Sequence, residues 1–175
     1  MENSEIDLYG LRKMSHSDLE IVLEWRSEPS ISRVMFKQNK ITIQEHRNWF
    51  ENSVSQSNKN LFIFEKHEQP MGFVSFNEID SSGVAEWGFF LSANSPKGLG
   101  RQLGQIALNH AFNQLNFHKI FGKVLDYNQA SIKLHLALGF KQEGIFRDHY
   151  INLNRYYDVH YYGILSDEWR LFENN

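Results

Sequence analysis

The chain has 175 residues, a formal net charge of -3 and no cysteine. That excludes disulfides, thiolate metal sites and a cysteine nucleophile, and it leaves no footprint of a general nucleic-acid binder. The length suits one domain, residues 1–175, with a sizeable core. The sequence holds no run of about 18 apolar residues, so no membrane span is expected. The acidic start, Met1-Glu2-Asn3-Ser4-Glu5, lacks the apolar stretch of a signal peptide, and cytoplasm is the expected compartment.

Ile6 to Arg12 alternates and predicts a first strand. Ser17-Asp18-Leu19-Glu20 reads as a capping box opening a helix to about Arg26, with Leu19, Val22 and Leu23 on its apolar face. Pro29 ends that helix, and residues 30–41 read as a loop with a short helix. Thr42-Ile43-Gln44-Glu45 is a second capping box, for a helix to about Val54 that carries Ile43, His46, Trp49 and Phe50 on one side. Three strands follow as an antiparallel meander: Leu61 to Lys66, Met71 to Asp80 and Val84 to Leu91.

Next comes Pro96-Lys97-Gly98-Leu99-Gly100-Arg101-Gln102-Leu103-Gly104, opening a helix that runs to about Asn116. A glycine-rich turn from strand into helix leaves unpaired N–H groups at the positive helix end and lets an anion approach the backbone, which suits phosphate. Alone, such glycines also mark ordinary turns. Lys119 to Asp126 is the next strand, and a helix from Asn128 ends at Gly139-Phe140. Phe140 to Asp148 and Tyr156 to Leu165 form a late hairpin with its tip near Leu153, and Ser166 caps a terminal helix. The pattern is α/β with a largely antiparallel sheet. The strands flanking the glycine-turn helix become parallel neighbours through a right-handed crossover.

Gly98-Leu99-Gly100, followed at this spacing by Asn128, Ala130 or Ser131, Leu134, Gly139 and Phe140, resembles the two signatures of the GCN5-related N-acetyltransferase (GNAT) superfamily over nearly the whole chain. The basic or amide residue that leads the first signature is replaced near Ser95, with Lys97 and Arg101 close by. Glu24-Trp25-Arg26, Glu45-His46, Ala85-Glu86-Trp87-Gly88 and Arg147-Asp148-His149 resemble the N-acetyltransferases of pseudaminic acid biosynthesis and, less closely, the ribosomal-protein N-terminal acetyltransferases.

The resemblance implies a twisted, mostly antiparallel sheet with a V-shaped splay between two central parallel strands, flanked by helices. It implies acetyl-CoA as co-substrate, no metal, and a primary amine as acceptor. That amine would be the 4-amino group of a UDP-linked amino-dideoxy sugar or, alternatively, a protein N-terminus; a silent acetyl-CoA-binding module is the non-enzymatic alternative. The backbone of Lys97, Gly98, Leu99, Gly100, Arg101 and Gln102 would hold the diphosphate. Phe89, Phe90 and Leu91 would pair with the pantetheine arm, an N–H near Phe90 would face the developing oxyanion, and Asn128 would hold the arm near its thiol. His135 stands where the family commonly has tyrosine, and as an imidazolium it would protonate the departing thiolate. Glu86 or Ser75 would take the amine proton through water, with Asn77 on the same strand face as Ser75. Arg26 and His46 would contact the acceptor.

Overall fold

The computed structural model describes residues 9–173. Ile6, Asp7 and Leu8 of the expected first strand, and the acidic start, lie outside the described residues. Seven strands form one sheet: β1 (Tyr9–Lys13), β2 (Lys59–Lys66), β3 (Gln69–Ile79), β4 (Val84–Leu91), β5 (Lys119–Leu125), β6 (Lys141–Asn152) and β7 (Arg155–Leu165). Their order is β1-β2-β3-β4-β5-β7-β6. Every pair is antiparallel except β4–β5, which is parallel.

Six helices accompany the sheet among the described residues: α1 (Leu19–Ser27), α2 (Pro29–Ser32), α3 (Ile43–Val54), α4 (Leu99–Asn113), α5 (Gln129–Ala137) and α6 (Ser166–Glu173). The first capping box lies two residues earlier than the sequence suggests. A 3-10 turn at His16–Asp18 precedes α1, and Asp18 accepts the Ser15 N–H at 2.8 Å while Arg12 grips the same carboxylate. The second box is as expected, with Thr42 and Glu45 bonded reciprocally at the start of α3. The hairpin tips use two-residue turns, His67-Glu68 and Leu153-Asn154, all at positive φ, as a primed turn requires.

Alternation sorts the sheet into two faces. Val74, Phe76, Ala85, Trp87 and Ile120 join α4, with Leu138 and Phe140, in the larger core; Ile63, Phe73 and Phe90 meet α1 and α3 in the smaller one. Each fully buried side chain of this size contributes about 2 kcal/mol of transfer free energy. The helices α4 and α5 approach so closely that a Cβ on Gly104 would stand 2.4 Å from a Leu138 methyl.

The feature that matters for function is a short ladder. β4 and β5 pair only through Val84–Lys119, Ala85–Ile120 and Glu86–Phe121. From Trp87 onward β4 keeps its pairing with β3, Gly72 to Leu91 and Phe73 to Phe90, but has lost β5. The two parallel strands therefore diverge, leaving one side of β4 with unpaired backbone groups beside the start of α4.

Candidate active site

The turn into α4 is built from backbone. Gly98 is the residue before the helix, with φ +89°, a left-handed conformation that costs a side-chain-bearing residue roughly 1–2 kcal/mol. No heavy atom lies within 4 Å of where its Cβ would stand, so the turn faces open space. The Leu99 and Arg101 amides bend back to the Pro96 and Gly98 carbonyls at 3.4 and 3.3 Å. Among the described residues no carbonyl meets the Gly100 amide, which remains for an anion at the positive helix end. The Leu99 side chain is buried, so only its backbone belongs to the turn, whereas Lys97 and Arg101 are exposed beside it.

The splay opens into a cavity of about 300 Å³ lined by Arg26, Ser75, Glu86, Gly88, Phe89, Phe90, Asn128 and His135. The sequence expectations thus converge on one place. Asn128 caps α5, its Oδ1 accepting the Ser131 N–H at 3.3 Å, which leaves its side-chain NH2 for a ligand. Ser75 Oγ donates to the Gly88 carbonyl at 3.4 Å.

That bond, the Ser92 N–H donated to Met71 O at 2.8 Å, and the approach of Phe90 O toward Gly72 show that Gly88, Phe90 and Ser92 turn their backbone groups toward β3. The amides facing the gap are therefore those of Phe89 and Leu91, on either side of Phe90.

His135 differs more. It is buried, 2 % exposed, beneath Trp87, Phe140 and Tyr162. Trp87 Nε1 donates to His135 Nε2 at 3.1 Å, and an indole can only donate. The proton therefore sits on Nδ1, which donates to the Ser131 carbonyl at 2.7 Å. Burial pulls its pKa down to about 4, against a weaker opposing pull from Ser131. An imidazolium proton donor at neutral pH is not what this residue is. Its ring holds the Trp87 indole across Gly122, where a Cβ would lie 2.6 Å from the imidazole.

Asn77 is exposed, 3.5 Å from Asn58, and lines neither cavity. Arg147, on the exposed strand β6, likewise lines neither. A residue the sequence did not flag is Lys123, whose Nζ pairs with Glu86 Oε1 at 2.9 Å on the cavity wall. Period two on β5 from Phe121, opposite Glu86, would have placed it there, but only once the parallel register was known.

A second cavity of about 400 Å³ shares Arg26, Phe73 and Phe90 with the first and runs under α3 to His46 and Trp49. Its rim carries Lys37 and Lys40, and its one lining carboxylate, Glu45, is engaged by Thr42. Burial lowers the Arg26 pKa, and no carboxylate pairs with it among the described residues. His46 is 2 % exposed and stacks on Trp49, and its Nε2 has no partner; burial and then the Arg26 charge push its pKa down, partly opposed by the Leu19 backbone. Among the described residues no cluster of metal-ligating side chains occurs and no helix is long and apolar enough to cross a membrane.

Comparison with known proteins agrees with this geometry. Residues 11–161 match the acetyltransferase (GNAT) domain. The chain is 30% identical over 176 residues to the uncharacterized N-acetyltransferase p20 of Bacillus licheniformis, covering 97% of this chain and 99% of that protein. It is 26% identical to acetyltransferase PseH of Campylobacter jejuni, covering 74% and 81%. The spermidine N-acetyltransferase of Vibrio cholerae, solved with CoA and spermine, superposes with a TM-score of 0.87 at 24% identity, covering 94% of this chain and 99% of that one. With its splayed parallel strands and bare helix mouth, the chain belongs to the GNAT acetyltransferase family and is an acyltransferase that uses acetyl-CoA.

Proposed function

We propose that this enzyme acetylates a primary amine carried on an anionic small molecule, with the 4-amino group of a UDP-linked amino-dideoxy sugar, as in pseudaminic acid biosynthesis, the leading acceptor. The observation that carries this reading is the charge of the acceptor cavity. Arg26, Lys37 and Lys40 surround an aromatic floor of His46, Trp49, Phe73 and Phe90. A diphosphate suits the Arg26 fork, and a base-sized ring suits stacking on Trp49. A polyamine would bring like charges to the same rim. The match to PseH supports this reading, while the likeness to a spermidine enzyme at 24% identity supports the shared fold.

In this account the α4 amides fix the diphosphate, and the Phe89–Leu91 edge aims the thioester across the splay. The amine must lose a proton before it attacks. Glu86, paired with Lys123 at 2.9 Å, and Ser75 stand on the acceptor face to receive that proton through water. The amine nitrogen bonds to the carbonyl carbon, the C–S bond breaks, and the thiolate takes a proton from water, since no tyrosine lines either cavity.

The test is thiol release from acetyl-CoA with the UDP-linked 4-amino sugar, spermidine and an N-terminal peptide in parallel. Preference for the sugar is expected. Preference for spermidine or the peptide would overturn the acceptor assignment, and tight CoA binding without turnover of any amine would favour the silent module.

A further inference from the structure

The two cavities share a wall, residues 33–41, between α2 and α3. Val34, Met35 and Phe36 line the splay, and Lys37, Asn39, Lys40 and Ile41 line the acceptor cavity. Gln38, in the middle, lines neither of these two cavities and is bonded elsewhere. Tyr127 Oη donates to the Arg33 carbonyl at 3.1 Å, and Gln38 Nε2 donates to Tyr127 Oη at 3.1 Å and to Arg33 O at 2.9 Å. Asn152 Nδ2 donates to Gln38 Oε1 at 2.9 Å, and Phe36 sets its edge against Tyr150 at 5.6 Å. The wall is thus fastened at both ends of a six-residue span to β5's exit and to the late hairpin.

We infer that Tyr127 is a positioning residue whose phenol clasps this wall and so shapes the acceptor cavity it does not touch. The bonds come from residues 89 to 114 positions away in sequence, so the wall has few local ties of its own. Apart from the bonds of the Arg33, Val34 and Met35 amides to Pro29, Ile31 and Ser32 at its start, no backbone bond holds the segment among the described residues. Tyr127 also directly precedes Asn128, the residue that caps α5 at the splay. The clasp therefore joins the thiol end of the donor site to the acceptor wall through one peptide unit. The role of the wall rests on the geometry; only its effect on acceptor turnover rests on the proposed function.

The test is Tyr127→Phe, which removes the hydroxyl and keeps the ring against Tyr157. Hydrogen exchange is followed residue by residue, and the thermal midpoint confirms folding. Two neutral hydrogen bonds are each worth about 1 kcal/mol, so exchange of the bonded Val34 and Met35 amides should quicken roughly 10- to 30-fold, with α3 and α5 unchanged. Gln38→Leu, which shares the Gln38–Tyr127 bond and also removes those to Arg33 and Asn152, should quicken the same amides at least as much, and the double variant should fall short of the sum of the two. With whichever of the UDP-linked amino sugar or spermidine is turned over, the acceptor KM should rise by a similar factor while CoA affinity by calorimetry stays within about two-fold. Unchanged exchange of the Val34 and Met35 amides, or fully additive variants, would overturn the clasp. Faster exchange with an unchanged acceptor KM would overturn its role in shaping the cavity. Faster exchange with neither amine turned over would leave the clasp standing and remove the acceptor reading instead.

Discussion

The donor half and the acceptor half of this enzyme are made of different material. The proposed donor half is backbone: the Gly100 amide at the mouth of α4, and the unpaired edge of β4 past Glu86. The acceptor half is side chains drawn from α1, α3, two strands and an irregular wall. Backbone geometry needs only glycines and a register, so it tolerates sequence change, and 24% identity to the Vibrio cholerae enzyme coexists with a TM-score of 0.87. Side-chain geometry changes with every substitution. The halves should accordingly fail in different ways.

The largest effect is expected where the halves join. Gly122→Val would drive methyl groups between His135 and Trp87, whose atoms already lie 2.6 and 2.8 Å from a Cβ there. Rigid rings cannot step aside, and loss of roughly 3 kcal/mol or more should appear in urea unfolding. Gly98→Val tests the donor half alone. It forces φ +89° on a branched residue, and acetyl-CoA affinity should fall about 10- to 100-fold by calorimetry, with a smaller loss of stability. Arg26→Ala tests the acceptor half alone. Loss of a charged hydrogen bond, about 2–3 kcal/mol, should raise the acceptor KM roughly 30- to 100-fold and leave CoA affinity intact. If Gly98→Val altered only the acceptor KM, or Arg26→Ala only CoA affinity, the division would be wrong.

The smallest effect is one of pH. His135 titrates at about 4 in the fold, below its ordinary value of 6.5. Between those values the unfolded chain binds the extra proton, so stability is complete above about pH 6.5 and declines as pH falls through 4, by about 3 kcal/mol in all. His135→Leu should flatten the slope of stability against pH across that window while lowering stability throughout. The same residue predicts no His135 limb in the activity profile near neutral pH.

The two halves also differ in how far they can be read from sequence. β4 spans Val84–Leu91 and Thr42 caps α3, both as the pattern predicts, because strand alternation and a capping box are local signals. The glycine turn is visible for the same reason. The direction of the Phe90 amide was not visible, since it depends on pairing with β3 rather than on β4 itself. Nor was the protonation of His135, which is decided by Trp87, 48 residues earlier in the chain. Lys123 and the Tyr127 clasp were missed because ordinary strand-end residues acquire their roles only from partners brought by the fold.

The most direct test of the account is a crystal structure with coenzyme A bound. The diphosphate should lie within about 3 Å of the Gly100 nitrogen at the mouth of α4, with the arm running along Phe89–Leu91 and the thiol facing the Arg26–Glu86 cavity. A diphosphate held away from α4, or an arm lying outside the gap between β4 and β5, would contradict it.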